Sequence, residues 1–462
     1  MVKRATSLTG PYQAYGRTER GGIDEELTGV GPGTPCGEYL RRFWQPVALS
    51  SELTDVPHAL RIFGEDLVLF RDGEGRLGLL ERACPHRGTS LEFAKVERRG
   101  LRCCYHGWHF DVDGTILEVP GEPEGTPIPS RVCAGAYPVR EYEGIVFAYM
   151  GPPEKKPEFP LYDLFVRPDK ALKPAKVHSP CNWLQVRENE MDPIHITFLH
   201  TRLFGVQFVP AFAALPTLEW RETPVGMMYV SVRRWGDHLY LRSNDMILPN
   251  IARVAGIEDA EGETVFDRRG GTTNWVVPID DRNCWTIGWD DVEKALPDSR
   301  RNALMDRAAR EGRTSMGPFD VGQSGEPTYE ERQRAPGDWD AWTSQGQVTR
   351  HGWENLGMTD KGVAMYRKLL RRGIRAVKRD QDPPGLARDG EGPRATFSHN
   401  TVKRIPPAST ADADWELARA FGRLVTEKIF SGELRSRHPM DVTLDIGPRQ
   451  HPQPEGKSDG RR

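Results

Sequence analysis

Residues 83–108 read ACPHRGTSLEFAKVERRGLRCCYHGW. The stretch holds Cys84-x-His86, then 16 residues, then Cys103-x-x-His106. Thiolate and imidazole donors at such tight spacing are metal-ligand chemistry. Each pair lies in a turn containing Gly or Pro between β-prone runs, so the two loops brought together make a site of two thiolates and two imidazoles. A zinc ion accepts this donor set, although the helix-borne H-x₃₋₅-H half of a zinc finger is absent. A [2Fe–2S] cluster with two Cys on one iron and two His on the other accepts it as well. Cys103 and Cys104 are adjacent, and only one of them fits the pattern.

Outward from these loops, the texture from Gln45 to about Pro153 is that of a compact all-β domain. Short β-prone runs such as LRIFG, EDLVLFRDGEGRLGLLE and GIVFAYMGPP alternate with turns, and Asp72-Gly73 and Asp113-Gly114 are hairpin dipeptides. Before it, Thr34 and Pro35 form an N-cap and first-turn pair that opens a short helix ending near Trp44. After it, Pro152, Pro153, Pro157 and Pro160 mark a linker. The remainder mixes strands and helices. TLEWRETPVGMMYVSVRRWG and TTNWVVPIDDRNCWTIGWDD read as antiparallel strands, and residues 360–378 and 412–431 as amphipathic helices. In the second helix Trp415, Ala418, Phe421, Val425 and Ile429 share a stripe, Asp412 or Asp414 is a candidate cap, and Gly432 ends it. The resulting fold class is α+β, in four stretches: an N-terminal arm and short helix (1–44), a β domain (45–155), an α+β domain (156–445) and a disordered tail (446–462).

A second constellation stands in NWLQVRENEMDPIHITFLH, which contains Asp192-x-x-His195-x₄-His200. Two histidines and a carboxylate on one face leave open positions for O₂ and substrate, the arrangement of non-haem Fe(II) oxygenases. Five residues advance an ideal helix about 140° beyond a full turn. The two rings therefore meet at one point only if the helix kinks near Pro193 or widens into a π-bulge.

The first motif closely resembles the Rieske signature, C-x-H-x₁₆-C-x-x-H-G-W, with Pro85, Arg87, Gly88, Gly107 and Trp108 in matching surroundings. Followed by Asn-Trp…Asp-x-x-His-x₄-His, it resembles the terminal oxygenase (alpha) subunits of Rieske non-haem iron aromatic ring-hydroxylating oxygenases. The resemblance covers roughly residues 29–380 and is closest to the phthalate dioxygenase-like branch, on phrases such as GVGPGTPCGEYLRRFWQPVALSSEL, GEDLVLFRDGEGRLGLLE and LEVPGEP. It implies a Rieske β domain followed by a helix-grip catalytic domain, a [2Fe–2S] cluster on Cys84, His86, Cys103 and His106, and one mononuclear Fe(II) per chain on His195 and His200. It gives Asp192 a different role, as the bridge between the iron site, through His195, and a neighbouring subunit's cluster, through His106. The third iron ligand falls in GDWDAWTSQGQVTRHGWENLGMTD, where Asp340 has the better offset to Ser344-Gln345-Gly346, with Asp338 as the alternative and Asp360 as a helix cap. The implied assembly is a homotrimer or a dimer of trimers. The implied reaction is hydroxylation of an aromatic, carboxylated substrate with O₂, with aryl methyl ether O-demethylation as the alternative.

Composition agrees with a catalytic chain and removes other classes. The chain has 462 residues, enough for two cored domains. Its 63 Lys and Arg stand against 66 Asp and Glu, with no long basic block, which points away from nucleic acid. No run approaches the length of a membrane span, and the first residues have no apolar signal core. Seven Cys is an odd and low count for a disulfide framework, which favours a cytoplasmic enzyme. Gly29-Val30-Gly31-Pro32-Gly33 lacks the strand and helix context of a dinucleotide or phosphate loop, so NAD(P)H electrons are expected through a separate flavin or ferredoxin reductase. A stand-alone Rieske electron carrier is the reading from another class, and the long chain after the cluster motif argues against it.

Overall fold

The computed structural model describes residues 8–16, 22–166, 170–255, 266–268, 271–293, 324–388 and 392–434. The expected tail at 446–462 lies outside the described residues, as does part of the expected arm. Thr34 caps the first helix of the arm's end as its sequence requires, its hydroxyl accepting from the Gly37 N–H at 3.2 Å. That helix is shorter than expected. It spans Pro35–Leu40, and Trp44 already opens a strand, Trp44–Leu49, because Trp44, Gln45 and Val47 are all buried against the neighbouring strand Ile145–Tyr149.

Residues 44–149 build three small antiparallel sheets. One runs in the order 44–49, 145–149, 139–142, a second in the order 58–62, 65–71, 77–81, 136–137. The turn between Glu65–Arg71 and Leu77–Glu81 is fastened by Asp72, whose carboxylate accepts from the N–H groups of Glu74 and Arg76 at 3.1 and 2.9 Å. The third sheet, of four very short strands at 95–96, 101–102, 109–110 and 116–118, carries one of the metal-motif loops.

The rest is organised by a nine-stranded antiparallel sheet. Its main order is 170–179, 283–293, 271–280, 251–255, 238–247, 226–235, 217–223, with His399–Arg404 paired along 238–247. Strand alternation gives its two faces different chemistry. Val230, Val232, Leu239 and Leu241 join one apolar core with Ala418, Phe421, Val425 and Ile429 of the helix Ala411–Phe430. Tyr229, Ser231, Arg233, Tyr240, Arg242 and Asn244 occupy the other face, equally buried but polar. A buried polar sheet face needs partners or a purpose. The helix Ala411–Phe430 is capped by Thr410, which accepts from the Ala413 N–H, and not by Asp412 or Asp414. Asp414 instead receives Arg234 Nε at 3.0 Å. Trp415 stays exposed at the end of the stripe.

Helix Lys361–Lys378 is tied to helix Trp183–Glu188 by a buried ion network. Arg367 donates Nε and Nη2 to Glu188 at 2.6 and 2.7 Å, and Nη1 to Glu354 at 2.6 Å. Burial pushes the Glu188 carboxyl up to about 7 in spite of that guanidinium. His351, Glu188 and Glu354 have donor atoms close enough for a cation, and Arg367 is the cation that fills the role. Arg367→Met leaves these carboxylates without it and is expected to cost about 3–5 kcal/mol of stability, the scale for breaking a buried pair from one side. Denaturant unfolding measures it. The loss is expected to be larger in mildly alkaline than in mildly acidic buffer, because acid lets Glu188 take a proton.

Candidate functional site

The two Cys–His loops share one backbone plan. The Cys84 N–H donates to Thr89 C=O at 2.9 Å, and the Gly88 N–H returns to Cys84 C=O at 2.8 Å. In the second loop the Cys103 N–H donates to Trp108 C=O at 2.8 Å, and the Gly107 N–H to Cys103 C=O at 3.1 Å. Gly88 and Gly107 close these turns at φ +78° and +72°, the left-handed region that favours glycine. The result presents Cys84 and Cys103 inward, both buried and in side-chain contact, while His86 and His106 stand at the rim with ring centroids 4.5 Å apart. The His86 ring is stacked on Trp108, 4.7 Å away and nearly parallel. Burial and the neighbouring Cys103 sulfur push the Cys84 thiol up to about 11. Two thiols held in contact, with burial keeping the Cys84 thiol from ionising unaided, fit a metal–thiolate site, in which the metal supplies the compensating charge. Cys104 faces solvent. His109 is a strand residue, its ring nitrogens taken up by Arg99 C=O and Arg102.

The second constellation begins on helix Trp183–Glu188, capped by Asn182, whose Oδ1 accepts from the Leu184 N–H at 3.0 Å. The chain tightens through a 3₁₀ turn, Asn189–Met191, and breaks at Asp192–Pro193. It resumes at His195–Thr197 and widens into a π turn, Phe198–Arg202, sealed by the Leu203 N–H on Phe198 C=O at 3.2 Å. Both the break at Pro193 and the π turn expected from the five-residue spacing are present. The π turn, which begins between the two histidines, brings the His195 and His200 rings to 5.4 Å between centroids.

The carboxylate that meets the two rings is Asp338. Its Oδ1 lies 3.5 Å from His195 Nε2 and 3.2 Å from His200 Nε2. Asp340, the expected third ligand, is not brought to the histidines, whereas Asp338, the alternative, is. Both residues sit on the short helix Asp338–Thr343, but two residues turn a helix by about 200°, so only one of them faces the histidines. Asp340 looks the other way, accepting from Arg332 Nη1 at 2.8 Å and from the Gly337 N–H at 3.1 Å. Asp360 precedes helix Lys361–Lys378 and accepts from the Gly357 N–H.

Burial alone would raise the Asp338 carboxyl, yet the hydrogen bond from His200 and the two imidazoles hold it well below the usual range. Burial lowers His195. Two neighbours complete the surround, of which Gln207 carries no sequence signal. Gln207 Oε1 accepts from His200 Nδ1 at 2.8 Å, which turns Nε2 toward the centre, and Asn189 Nδ2 donates to Asp338 Oδ1 at 3.1 Å. His195 Nδ1 is buried without a hydrogen-bond partner, and Asp192 Oδ2 stands 3.9 Å from it. Three donors within 4.8 Å of one another, two imidazoles and one carboxylate held anionic, with His200 and Asp338 buried and His195 half-buried, fit a divalent first-row metal and leave positions open on the remaining side. That side opens on a cavity of about 370 Å³. Val177, Ile196, Phe208 and Phe212 supply apolar walls, and besides Asp338 the charged lining is Arg187, Glu190, Arg242 and Asp290. The cavity residues arise from strands far apart in sequence and carry no local motif.

The family model for the Rieske [2Fe–2S] domain matches residues 43–142. The chain is 42% identical over 411 residues to the tert-butanol monooxygenase / tert-amyl alcohol desaturase oxygenase subunit of Aquincola tertiaricarbonis, covering 84% of this chain and 85% of that protein. It is 40% identical over 381 residues to the phenoxybenzoate dioxygenase subunit alpha of Ectopseudomonas oleovorans, covering 79% and 87%. Dicamba monooxygenase bound to 3,6-dichlorosalicylic acid has the same fold at a TM-score of 0.53 and 18% identity, covering 73% of this chain and 98% of that one. A Rieske β domain joined to a large antiparallel sheet with helices defines a Rieske oxygenase. The chain belongs to that family, as a terminal oxygenase subunit and an oxidoreductase. The match runs through the catalytic part, which a stand-alone electron carrier lacks. Among the described residues no helix is long and apolar enough to cross a membrane.

Proposed function

We propose that this oxygenase hydroxylates an aromatic carboxylate, using O₂ and NAD(P)H electrons delivered by a separate cytoplasmic reductase. In this reading Cys84, His86, Cys103 and His106 hold the [2Fe–2S] cluster, and His195, His200 and Asp338 hold a mononuclear Fe(II). When bound, the cluster supplies single electrons and the iron supplies open positions for O₂. Gln207 keeps the His200 proton on Nδ1, and Asn189 steadies the Asp338 oxygen. Asp192 stands beside the unpartnered His195 Nδ1, positioned to link it to His106 of a neighbouring copy in a trimer.

The observation that carries the substrate class is Arg242. It lines the cavity, and among the described residues no carboxylate lies within 4.0 Å of its guanidinium. Its Nη1 is buried with no hydrogen-bond partner, while its Nε donates only a long bond, 3.4 Å, to Asn244 Oδ1. A buried guanidinium short of acceptors beside an apolar cavity suits an anionic, ring-bearing ligand. Phe208, Phe212 and Ile196 would cover the ring and exclude water. Arg242→Met is expected to weaken binding of a benzoate-type ligand by about 10–100-fold, the equivalent of about 1.5–3 kcal/mol for a hydrogen bond to a charged group. The matching neutral amide should change little. Calorimetric titration of both ligands checks this, and equal benzoate affinity in the wild type and Arg242→Met would remove the carboxylate from the proposal.

A further inference from the structure

Asp192 lies in the link between the turn ending at Met191 and the helix beginning at His195. Its own Oδ1 is engaged locally, accepting from the Ile194 N–H at 3.0 Å. Pro193 has no N–H to offer, so the direction of this link is set by what holds its carbonyls. Two side chains of the sheet do so, one on each side of Asp192. Trp220 Nε1 donates to Met191 C=O at 3.3 Å, and Arg233 Nη2 donates to Pro193 C=O at 3.0 Å.

Arg233 is an expensive residue for such a task. It is fully buried, and among the described residues no carboxylate lies within 4.0 Å of it. Its Nη1 donates to Ser231 Oγ at 3.0 Å, its Nε is unpartnered, and its Cζ lies 5.2 Å from the Phe212 ring centre. Burial draws the guanidinium down to about 10, so it remains charged at neutral pH. An apolar side chain of similar volume would spare the molecule an uncompensated buried cation. What the cation gives in return is a charge-assisted hydrogen bond to the peptide between the bridging carboxylate and the first histidine.

We infer that Arg233 is a positioning residue for the reaction: from the sheet it fixes the Pro193 peptide, and through it the directions in which Asp192 and His195 project. The inference rests on the bridging role proposed above for Asp192. The test uses the full chain carrying its cluster, with Fe(II) or, for spectroscopy, Co(II) at the mononuclear site. Visible bands of Co(II) report the His195 ligand field, and reoxidation of the reduced cluster in one turnover with substrate and O₂ reports electron transfer.

Arg233→Met is expected to keep the cluster spectrum and bind Co(II) with shifted bands, and to slow cluster reoxidation by about 10–100-fold, the range for losing an outer-shell partner of a metal site. Arg233→Lys restores the charge but reaches only one of the two acceptors, so it falls between. Wild-type bands together with wild-type reoxidation in folded, loaded Arg233→Met overturn the inference. If Arg233→Met does not fold, the same result in Arg233→Lys overturns it. Asp192→Asn, measured alongside, separates the two readings. Wild-type reoxidation in Asp192→Asn removes the bridge, and Arg233 is then decided by the Co(II) bands alone.

Discussion

Asp338→Ala is expected to empty the mononuclear site while leaving the cluster's visible spectrum intact, and to abolish product formation. Its oxygen is within 3.5 Å of both imidazoles, and it is the carboxylate of the buried three-donor group at the cavity. Removing an outer-shell partner of a metal typically costs 10–100-fold in affinity, so losing a ligand should cost at least about 100-fold. Asp340→Ala is the internal comparison. It removes a salt bridge to Arg332 and a cap on Gly337, together about 1–2 kcal/mol of stability, and leaves the donors in place. Metal analysis of the two purified variants distinguishes them. Iron retained in Asp338→Ala and lost in Asp340→Ala would reverse the assignment.

Asp192→Asn is expected to retain both metals and still turn over about 10–100-fold more slowly, the range for a hydrogen-bond partner of a metal ligand. The substitution keeps size and shape but removes the charge. The side chain is partly exposed and beside an imidazole nitrogen that has no other partner, so little folding energy depends on it. An amide is a weaker acceptor than a carboxylate for the N–H groups of two imidazoles. The deficit should therefore appear in cluster reoxidation and not in metal content or substrate affinity. Wild-type turnover in Asp192→Asn would remove the bridge.

The legible parts of the chain were those in which local chemistry decides the structure. The hairpins at 217–235 and 271–293 are β-prone runs folded back on themselves, and Thr34 and Asn182 cap the helices that follow them. The five-residue spacing of His195 and His200 already demanded a break or a π turn, and both occur. Asp338 ranks only second on sequence because an offset along the chain does not tell which side of a short helix faces inward. A sharper sign was present: Asp340 occupies the third helical position, where an acidic side chain turns back onto its own N-terminus, and such a residue is already committed. Gln207 and Arg242 carried no signal at all. Gln207 reaches His200 through an irregular loop, and Arg242 faces the cavity only because strand pairing sets it opposite Ser231 on the buried polar face.

The origin of the product's oxygen tests an aromatic-acid oxygenase most directly. The iron-loaded protein, supplied with NADH and a surrogate reductase, is offered aromatic carboxylates with and without methoxy groups under ¹⁸O₂. The predicted result is a ring-hydroxylated acid carrying ¹⁸O. Formaldehyde with the matching phenol would keep the oxygenase and change the reaction to O-demethylation. NADH consumed to peroxide alone across the whole panel, with no labelled product from any carboxylate, would contradict the assignment of an aromatic acid to the Arg242 cavity.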